Sequence, residues 1–131
     1  MENKLNKIFE EGQVLLINKP LEWTSFDVVK KIRSLIKIKK VGHAGTLDPL
    51  ATGLLIVCTG KLTKKISEYM AQEKEYIGKL TLGAITPTYD FESEPGNFKS
   101  FENISEKDIH ATAKNLLVKS CKCPRHILLL K

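Results

Sequence analysis

The segment of residues 42–53, with the sequence GHAGTLDPLATG, has the residue types and spacing best suited to chemistry. Its glycines allow the backbone to approach a ligand closely. Pro49 holds the preceding Asp48 in an extended conformation and, having no N–H, leaves the Asp48 carboxylate untied. The segment can therefore present a free carboxylate. Asp-Pro is also common turn chemistry, however, and a lone histidine such as His43 is usually just a polar loop residue.

Positive charge is concentrated around this segment. The chain has 21 Lys and Arg against 15 Asp and Glu, and residues 28–67 contain nine basic groups and a single acidic one, Asp48. Such a block is the pattern expected of a surface that meets phosphates, although a solvated lysine-rich helix face gives the same pattern. A carboxylate among lysines tends to stay ionised, which suggests chemistry rather than binding at Asp48.

A strand and a helix are predicted before this segment. Residues 13–17 read as a buried strand and residues 20–23 as the turn that follows. Thr24 and Asp27 then form a capping box, which opens a helix. The helix has an apolar face and a basic face, made respectively by Phe26, Val29, Ile32 and Ile36 and by Lys30, Lys31, Arg33 and Lys37.

The rest of the chain alternates strands with helices. The pattern predicts a loop over residues 41–52 and a strand over 54–58. An amphipathic helix follows, marked by Leu62, Ile66, Tyr69 and Met70, and then a strand that contains Tyr76. Ser105 and Asp108 cap a last helix, whose inward-facing residues are Ile109, Ala113, Leu116 and Leu117. This order predicts a mixed α/β fold of the α+β kind. Core or cross-strand packing explains Tyr76 at least as well as a binding role does.

Length and composition exclude several classes of protein. With 131 residues, 42% hydrophobic and 27% charged, the chain is neither a disordered tail nor a membrane bundle. Its longest apolar run, residues 54–58, is far shorter than the roughly 20 residues that span a bilayer. The first residues lack the apolar region of a signal peptide, so we expect a cytoplasmic protein with no membrane partner, in which Cys58 is a core residue.

Two further patterns resemble binding sites and are rejected. Gly60-Lys61 has neither the upstream glycine spacing nor the hydroxyl residue of a phosphate-binding P-loop. The zinc-binding residue types Cys121, Cys123, His110 and His126 fit no tetrahedral spacing. We therefore expect no metal site.

Three motifs follow one another along residues 12–97. They are Ile17-Asn18-Lys19-Pro20 with Trp23-Thr24-Ser25, then residues 42–53, then Lys74, Tyr76, Leu82-Gly83, Thr86, Thr88 and Asp90. The second resembles a catalytic loop of the form GHxGTLDPxATG, and the third the pattern KxYxxxxxLGxxTxTxD. Together the motifs resemble the N-terminal part of the bacterial TruB family, the tRNA pseudouridine-55 synthases.

The resemblance implies isomerisation of one uridine in the T-loop of tRNA, without a cofactor. The N1–C1′ bond is cleaved and the ring rejoins the sugar through C5. Asp48 would be the nucleophile, or the electrostatic partner of the positive charge that develops on the ribose. His43 would contact the RNA near the flipped nucleotide, and Tyr76 would stack on the uracil. Lys19, Lys64 and the lysines of the first helix would contact phosphates.

The resemblance also implies the first half of a catalytic domain, with a mixed sheet flanked by helices, in a monomer that binds the tRNA T-stem-loop. Family members are longer, and their second half supplies an arginine that pairs with the catalytic aspartate. Neither Arg33 nor Arg125 lies in a matching motif, so we assign that role to neither. We expect the chain to be a single partial domain, inactive in isolation, with its catalytic region over residues 12–118.

Residues 119–131 do not match the family, which at this point reads approximately QxPPxYSAxK. One choice of synonymous codons for this stretch, read in another frame, encodes ILQVPPAYSAVK. We therefore interpret the tail as the product of a frameshifted or truncated gene, and the coding DNA after Leu117 would decide it. Two other functions stay open: a non-catalytic RNA-binding module, and a relative of the guide-RNA-dependent synthases.

Overall fold

A three-stranded antiparallel sheet organises the first part of the chain. The computed structural model describes residues 2–116, and the chain divides into two units, residues 1–73 and residues 74–131. The elements of the first unit are α1 (Glu2–Glu11), β1 (Val14–Lys19), α2 (Ser25–Ile36), β2 (Val41–Ala44), β3 (Gly53–Thr59), a 3₁₀ helix (Gly60–Lys65) and α3 (Ile66–Met70). The second unit contains α4 (Glu106–Leu116). The predicted mixed α/β class is confirmed.

The order of the strands is β1-β3-β2, and β3 is antiparallel to both neighbours. β1 and β2 therefore run in the same direction, but β3 separates them, and α2 connects them. The sheet is consequently antiparallel at both of its described pairings, not mixed as the resemblance implied. The register pairs Lys19 with Gly53 and Ala44 with Ile56. The C-terminal ends of β1 and β2 therefore lie at the same end of the sheet as the beginning of β3.

The core lies between α2 and one face of the sheet. Side chains alternate across a strand, so every second residue of β1, β2 and β3 faces this helix. The cluster consists of Val28, Val29, Ile32, Val41, Leu55 and Val57, with Leu15, Ile17, Ile36 and Leu47 packed around it. Cys58 is also buried, as predicted, and burial raises the pKa of its thiol.

The capping box that opens α2 is confirmed. The Asp27 amide donates to Thr24 Oγ1 over 3.0 Å, and the Thr24 amide donates to Asp27 Oδ2 over 3.0 Å. The hydrogen bonds from Thr24 lower the pKa of the Asp27 carboxyl. The carboxylate thus satisfies an N–H that would otherwise lack a partner at the start of the helix.

Two expectations about the faces of α2 are wrong. Phe26 is 59% exposed, whereas Val28 is buried, because Phe26 lies about 100° around the helix from the centre of the buried stripe. Arg33 does not belong to a free basic face. It is half-buried, and its Nη2 donates to the Val41 carbonyl over 2.6 Å. Arg33 therefore ties α2 to β2.

The sequence also missed two elements of the first unit. α1 was not predicted, and residues 41–44 form strand β2 instead of the start of a loop. Gly42 was read as a loop signal, but it pairs with Cys58 in the sheet, and a Cβ at this position would lie 2.8 Å from Ile66 Cδ1. The glycine thus allows α3 to approach the sheet closely.

The second unit contains no strand among its described residues. The strand expected around Tyr76 is therefore wrong, and the one described pairing there is a bridge between Ile85 and Gly96. An alternating pattern becomes a strand only where a neighbouring strand accepts its backbone hydrogen bonds. The capping of α4 by Ser105 and Asp108 is confirmed, since each amide bonds the other's side chain.

Some expectations concern residues outside the described part. Leu117, the tail 119–131 and the Cys121, Cys123 and His126 side chains fall there. Over the described residues, no helix is long and apolar enough to cross a membrane. The same part of the chain holds no group of three or more His, Cys, Asp or Glu side chains arranged to bind a metal ion.

Gly60→Ala tests how α1 packs on the sheet. Gly60 has a positive φ of 51°, and a Cβ there would overlap the Glu10 carbonyl oxygen. Because both the backbone conformation and the overlap oppose a side chain, we expect Gly60→Ala to lower the free energy of unfolding in urea by more than about 2 kcal/mol.

Gly45→Ala is the matched control. Gly45 also has a positive φ, 99°, but a Cβ there would meet no atom within 4 Å. Only backbone strain opposes this alanine, so its loss of stability should be the smaller of the two. An equal or larger loss at Gly45 would contradict the packing of α1 against Gly60.

Candidate active site

Asp48 lies on the loop that connects β2 to β3, at the end of the sheet where β1 also ends. Its side chain is exposed. Its carboxylate forms no hydrogen bond and no ion pair with the side chains that the structure describes, those of residues 6–115, whereas its backbone carbonyl accepts from the Ala51 amide over 3.0 Å in a turn. The predicted free carboxylate is therefore present in the structure.

Ser25, the first residue of α2, anchors the residue before Asp48. The Leu47 amide donates to Ser25 Oγ over 2.9 Å, and Ser25 Oγ donates to the Leu47 carbonyl over 3.2 Å. Ser25 is 2% exposed, and the Leu47 side chain packs against the core. These bonds fix both backbone polar groups of Leu47, and with them the point at which the chain enters Asp48.

Lys19, the last residue of β1, anchors the residue after Asp48. Its Nζ donates to the carbonyls of Pro20, Trp23 and Pro49 over 2.9, 2.5 and 3.3 Å. An ammonium has three donors, and all three are used. The Pro49 carbonyl also accepts from the Glu22 amide over 2.8 Å. The backbone on either side of Asp48 is thus held to α2 and to residues 20–23, which follow β1.

This geometry argues against the expected role of Lys19. The side chain is fully buried, and burying a charge is costly unless polar groups compensate it. The three carbonyls supply that compensation. We therefore replace the phosphate contact expected of Lys19 by a positioning role: it holds the loop on which Asp48 lies.

His43 lies near the end of β2, opposite Val57, and is half-buried. Its Nδ1 lies 2.5 Å from the Gly45 carbonyl oxygen. A carbonyl only accepts hydrogen bonds, so Nδ1 carries the hydrogen. Nε2 is then the ring nitrogen that stays available to a ligand. His43 and Asp48 thus lie at the same end of the sheet.

The structure does not bring all of the expected residues to this end. Lys64 is exposed on the 3₁₀ helix, which begins after Thr59 at the opposite end of β3. The length of β3 separates it from the Asp48 loop, on the order of 20 Å along the strand. Tyr76 belongs to the second unit and is 51% exposed. Its place at the site stays a prediction.

Sequence reasoning assigned no role to two residues that position the loop. Ser25 was part of the first motif, and the sequence contains a signal for its role. Two hydroxyl residues stand at the start of α2, and Thr24 alone makes the cap, which leaves the Ser25 hydroxyl for another contact. Glu22 has a φ of 64°, and its amide reaches Pro49 from this conformation. Glutamate gives no sequence signal for a positive φ, which favours glycine or asparagine.

Comparison with known proteins decides the family. The model of the TruB family pseudouridylate synthase N-terminal domain matches residues 33–126, a range that includes His43, Asp48, Lys64 and Tyr76. The chain belongs to the TruB family. The resemblance to the TruB family is confirmed.

Curated TruB-family relatives agree. tRNA pseudouridine synthase B of Flavobacterium johnsoniae is 55% identical over 114 residues, covering 82% of this chain and 50% of the relative. The enzyme of the same name from Chloroherpeton thalassium is 48% identical over 128 residues, covering 95% of this chain and 53% of the relative. The chain thus spans about half the length of the curated relatives it matches.

Among solved structures, a chain in the structure of an H/ACA ribonucleoprotein bound to a substrate RNA containing 2′-deoxyuridine is similar to this one. The match covers 47% of this chain and 20% of that chain. The sequence identity is 34% and the TM-score 0.45.

Lys19→Met tests the anchoring of the Asp48 loop. Methionine fills similar space but donates no hydrogen bond, so carbonyls that Lys19 satisfies in the interior lose their donor. We expect the free energy of unfolding to fall by about 2–4 kcal/mol. Hydrogen exchange at the Ala51 amide, which closes the turn at Asp48, should become faster.

Lys64→Met is the control, because it removes the same charge from an exposed position. Its free energy of unfolding should stay within about 0.5 kcal/mol of the unsubstituted chain. Unchanged exchange at Ala51 in Lys19→Met would show that Lys19 does not hold the loop.

Proposed function

We propose that this chain supplies the Asp48-bearing part of an enzyme that isomerises uridine to pseudouridine in tRNA. The observation that carries the proposal is the Asp48 carboxylate, which is exposed and has no partner in the described residues although its backbone is anchored on both sides. An anchored loop with a free carboxylate is preorganised to meet charge that develops on a substrate. Membership of the TruB family supports the reaction class.

The reaction needs an anion at the ribose. As the N1–C1′ bond breaks, its electron pair leaves with the uracil and positive charge develops at C1′. A carboxylate beside the sugar either stabilises this charge or bonds to the carbon. The ring then turns, C5 bonds to C1′, the C5 proton is lost and N1 gains a proton. The product is an isomer of the substrate, so no oxidant, reductant or cofactor is required.

The substrate we propose is the uridine at position 55 in the T-loop of tRNA. A stacked base hides both bonds, so the nucleotide must leave the stack, and contacts with the protein must offset the cost. His43 can contribute at Nε2, since Gly45 fixes the proton on Nδ1. We propose Tyr76 as the aromatic side chain that stacks on the uracil, and Lys64 as a phosphate contact away from the reacting atoms.

We further propose that the enzyme acts as a monomer in the cytoplasm and binds the T-stem-loop directly. The basic residues in the 28–67 block provide attraction for the phosphates. Since the chain spans about half the length of its relatives, we propose that conversion requires the half that it does not span. The frameshift interpretation of residues 119–131 remains a prediction, to be decided by the coding DNA.

Asp48→Asn tests the catalytic assignment. The variant is made in a chimera that joins residues 1–118 of this chain to the remaining, C-terminal part of the Flavobacterium relative. A T-stem-loop RNA labelled with tritium at uridine C5 reports turnover, because bond formation at C5 releases the label. We expect Asp48→Asn to reduce release by roughly 10²- to 10³-fold or more. RNA affinity should be kept, since the variant removes a negative charge that faces a polyanion.

Glu68→Gln, a neutralised acid exposed on α3, is the matched control and should keep its turnover. The isolated chain, assayed beside the chimera, should release little tritium. Comparable release by the chimera with Asp48→Asn would defeat the catalytic assignment and favour a non-catalytic RNA-binding role. No guide RNA is supplied, so tritium release by the unsubstituted chimera would contradict the guide-dependent alternative.

A further inference from the structure

A shallow cleft lies along the outer side of α2 and the turn that precedes it. Its volume is about 450 Å³, within the range of sites that bind small molecules or single groups of larger ones. The buried residues of α2 are Ser25, Val28, Val29 and Ile32, none of which lines it. The lining residues are Glu22, Trp23, Asp27, Lys30, Lys31 and Ser34.

The cleft combines an aromatic surface with two cations. Trp23 is 38% exposed, and the indole offers a flat face for stacking. Lys30 and Lys31 are exposed. Besides the capping hydrogen bonds from Thr24, the charge of Lys30 helps to lower the pKa of the Asp27 carboxyl, but neither lysine forms an ion pair with a described residue. The Asp27 carboxylate is engaged in the cap of α2, so Glu22 is the acid left to meet a hydroxyl or an N–H. Such walls fit a nucleotide: a base on the indole and a phosphate at the lysines.

The cleft is connected to the Asp48 loop through backbone hydrogen bonds. The Trp23 carbonyl and the Pro49 carbonyl both accept from Lys19 Nζ. The Glu22 amide donates to the same Pro49 carbonyl. The backbones of Glu22 and Trp23 are therefore fixed relative to Pro49, the residue that follows Asp48. A ligand that contacts both the cleft and Asp48 would thus be held in one position relative to the two sites.

We propose that this cleft binds an unpaired nucleotide of the RNA substrate outside the target uridine. The base stacks on Trp23, and the phosphate lies at Lys30 and Lys31. This inference rests on the proposed function, because only an RNA substrate brings a second nucleotide to the cleft while its uridine is at Asp48. Stacking on aromatic side chains next to basic groups is the general mode by which proteins hold unpaired bases.

An acidic protein segment is the competing occupant. Its carboxylates would also be attracted by Lys30 and Lys31, and Glu22 and Asp27 would repel them as they repel a phosphate, but an acidic segment would gain nothing from the flat face of Trp23. The charge of the 28–67 block, nine basic groups against one acid, continues well beyond the cleft. A long polyanion with flat bases uses both features.

Trp23 is the single tryptophan of the chain, so its fluorescence reports on the cleft directly. The chain is titrated with a T-stem-loop RNA carrying unpaired flanking nucleotides, and affinity is measured separately from the anisotropy of labelled RNA. We expect saturable quenching of Trp23. Trp23→Ala should weaken binding roughly 5- to 150-fold, as loss of one stacked base does. Trp23→Phe, which keeps an aromatic ring, should recover most of the loss.

The lysines are tested with a charge-matched pair of variants. Lys30→Gln with Lys31→Gln should weaken binding and make the negative slope of log affinity against log salt shallower by about one. Lys107→Gln with Lys114→Gln removes two exposed charges from α4 and should leave both quantities near those of the unsubstituted chain. Circular dichroism and thermal unfolding show whether each variant is folded.

Three results would overturn the cleft assignment. They are RNA binding without a change in Trp23 fluorescence, equal losses in the two lysine pairs, and the absence of RNA binding by the folded chain. Quenching of Trp23 by poly-glutamate equal to that by RNA would contradict a nucleotide site and favour an acidic protein partner. The proposed function is judged separately by tritium release in the chimera, where loss of turnover in Asp48→Asn supports it whether or not the cleft binds a nucleotide.

Discussion

The buried ammonium of Lys19 is the constraint on which the arrangement of the site depends. A charge removed from water must find polar partners, and within the described residues this one finds carbonyl oxygens only. The carbonyls come from the turn after β1 and from the loop between β2 and β3. Satisfying one side chain thus requires two separate segments to converge at the end of β1. Asp48 keeps an exposed position because hydrogen bonds with the buried Lys19 and Ser25 side chains fix the backbone of the residues on either side of it.

Local signals were sufficient for much of the first unit. The capping box of α2 depends on residues three apart, and the strands β1 and β3 depend on short apolar runs; all three were predicted from these patterns. β2 was missed because Gly42 is a loop signal locally, whereas its reason is the approach of Ile66 from α3. The strand around Tyr76 failed for the opposite reason: a local alternation was present, but no described strand pairs with it.

The site shows the same division. Asp48 was identified from its own neighbourhood, because glycines and Pro49 describe a loop that leaves a carboxylate free. Lys19 was assigned to phosphates because sequence shows a charge and not its burial. Its acceptor on Pro49 is 30 residues away. Ser25 was passed over for the same reason, since its partner Leu47 lies 22 residues further along the chain. Contacts across such distances follow from the fold and not from a motif.

These separations also govern how the loop acquires its order during folding. Both anchors join segments that the pairing of β1 with β3 and the docking of α2 bring together, and both events close long stretches of chain at an entropic cost. The loop should consequently become rigid late, together with the whole first unit, instead of as an independent local structure. A nascent or partly unfolded chain would carry the same aspartate without its fixed orientation, so readiness for chemistry is a cooperative property of this unit.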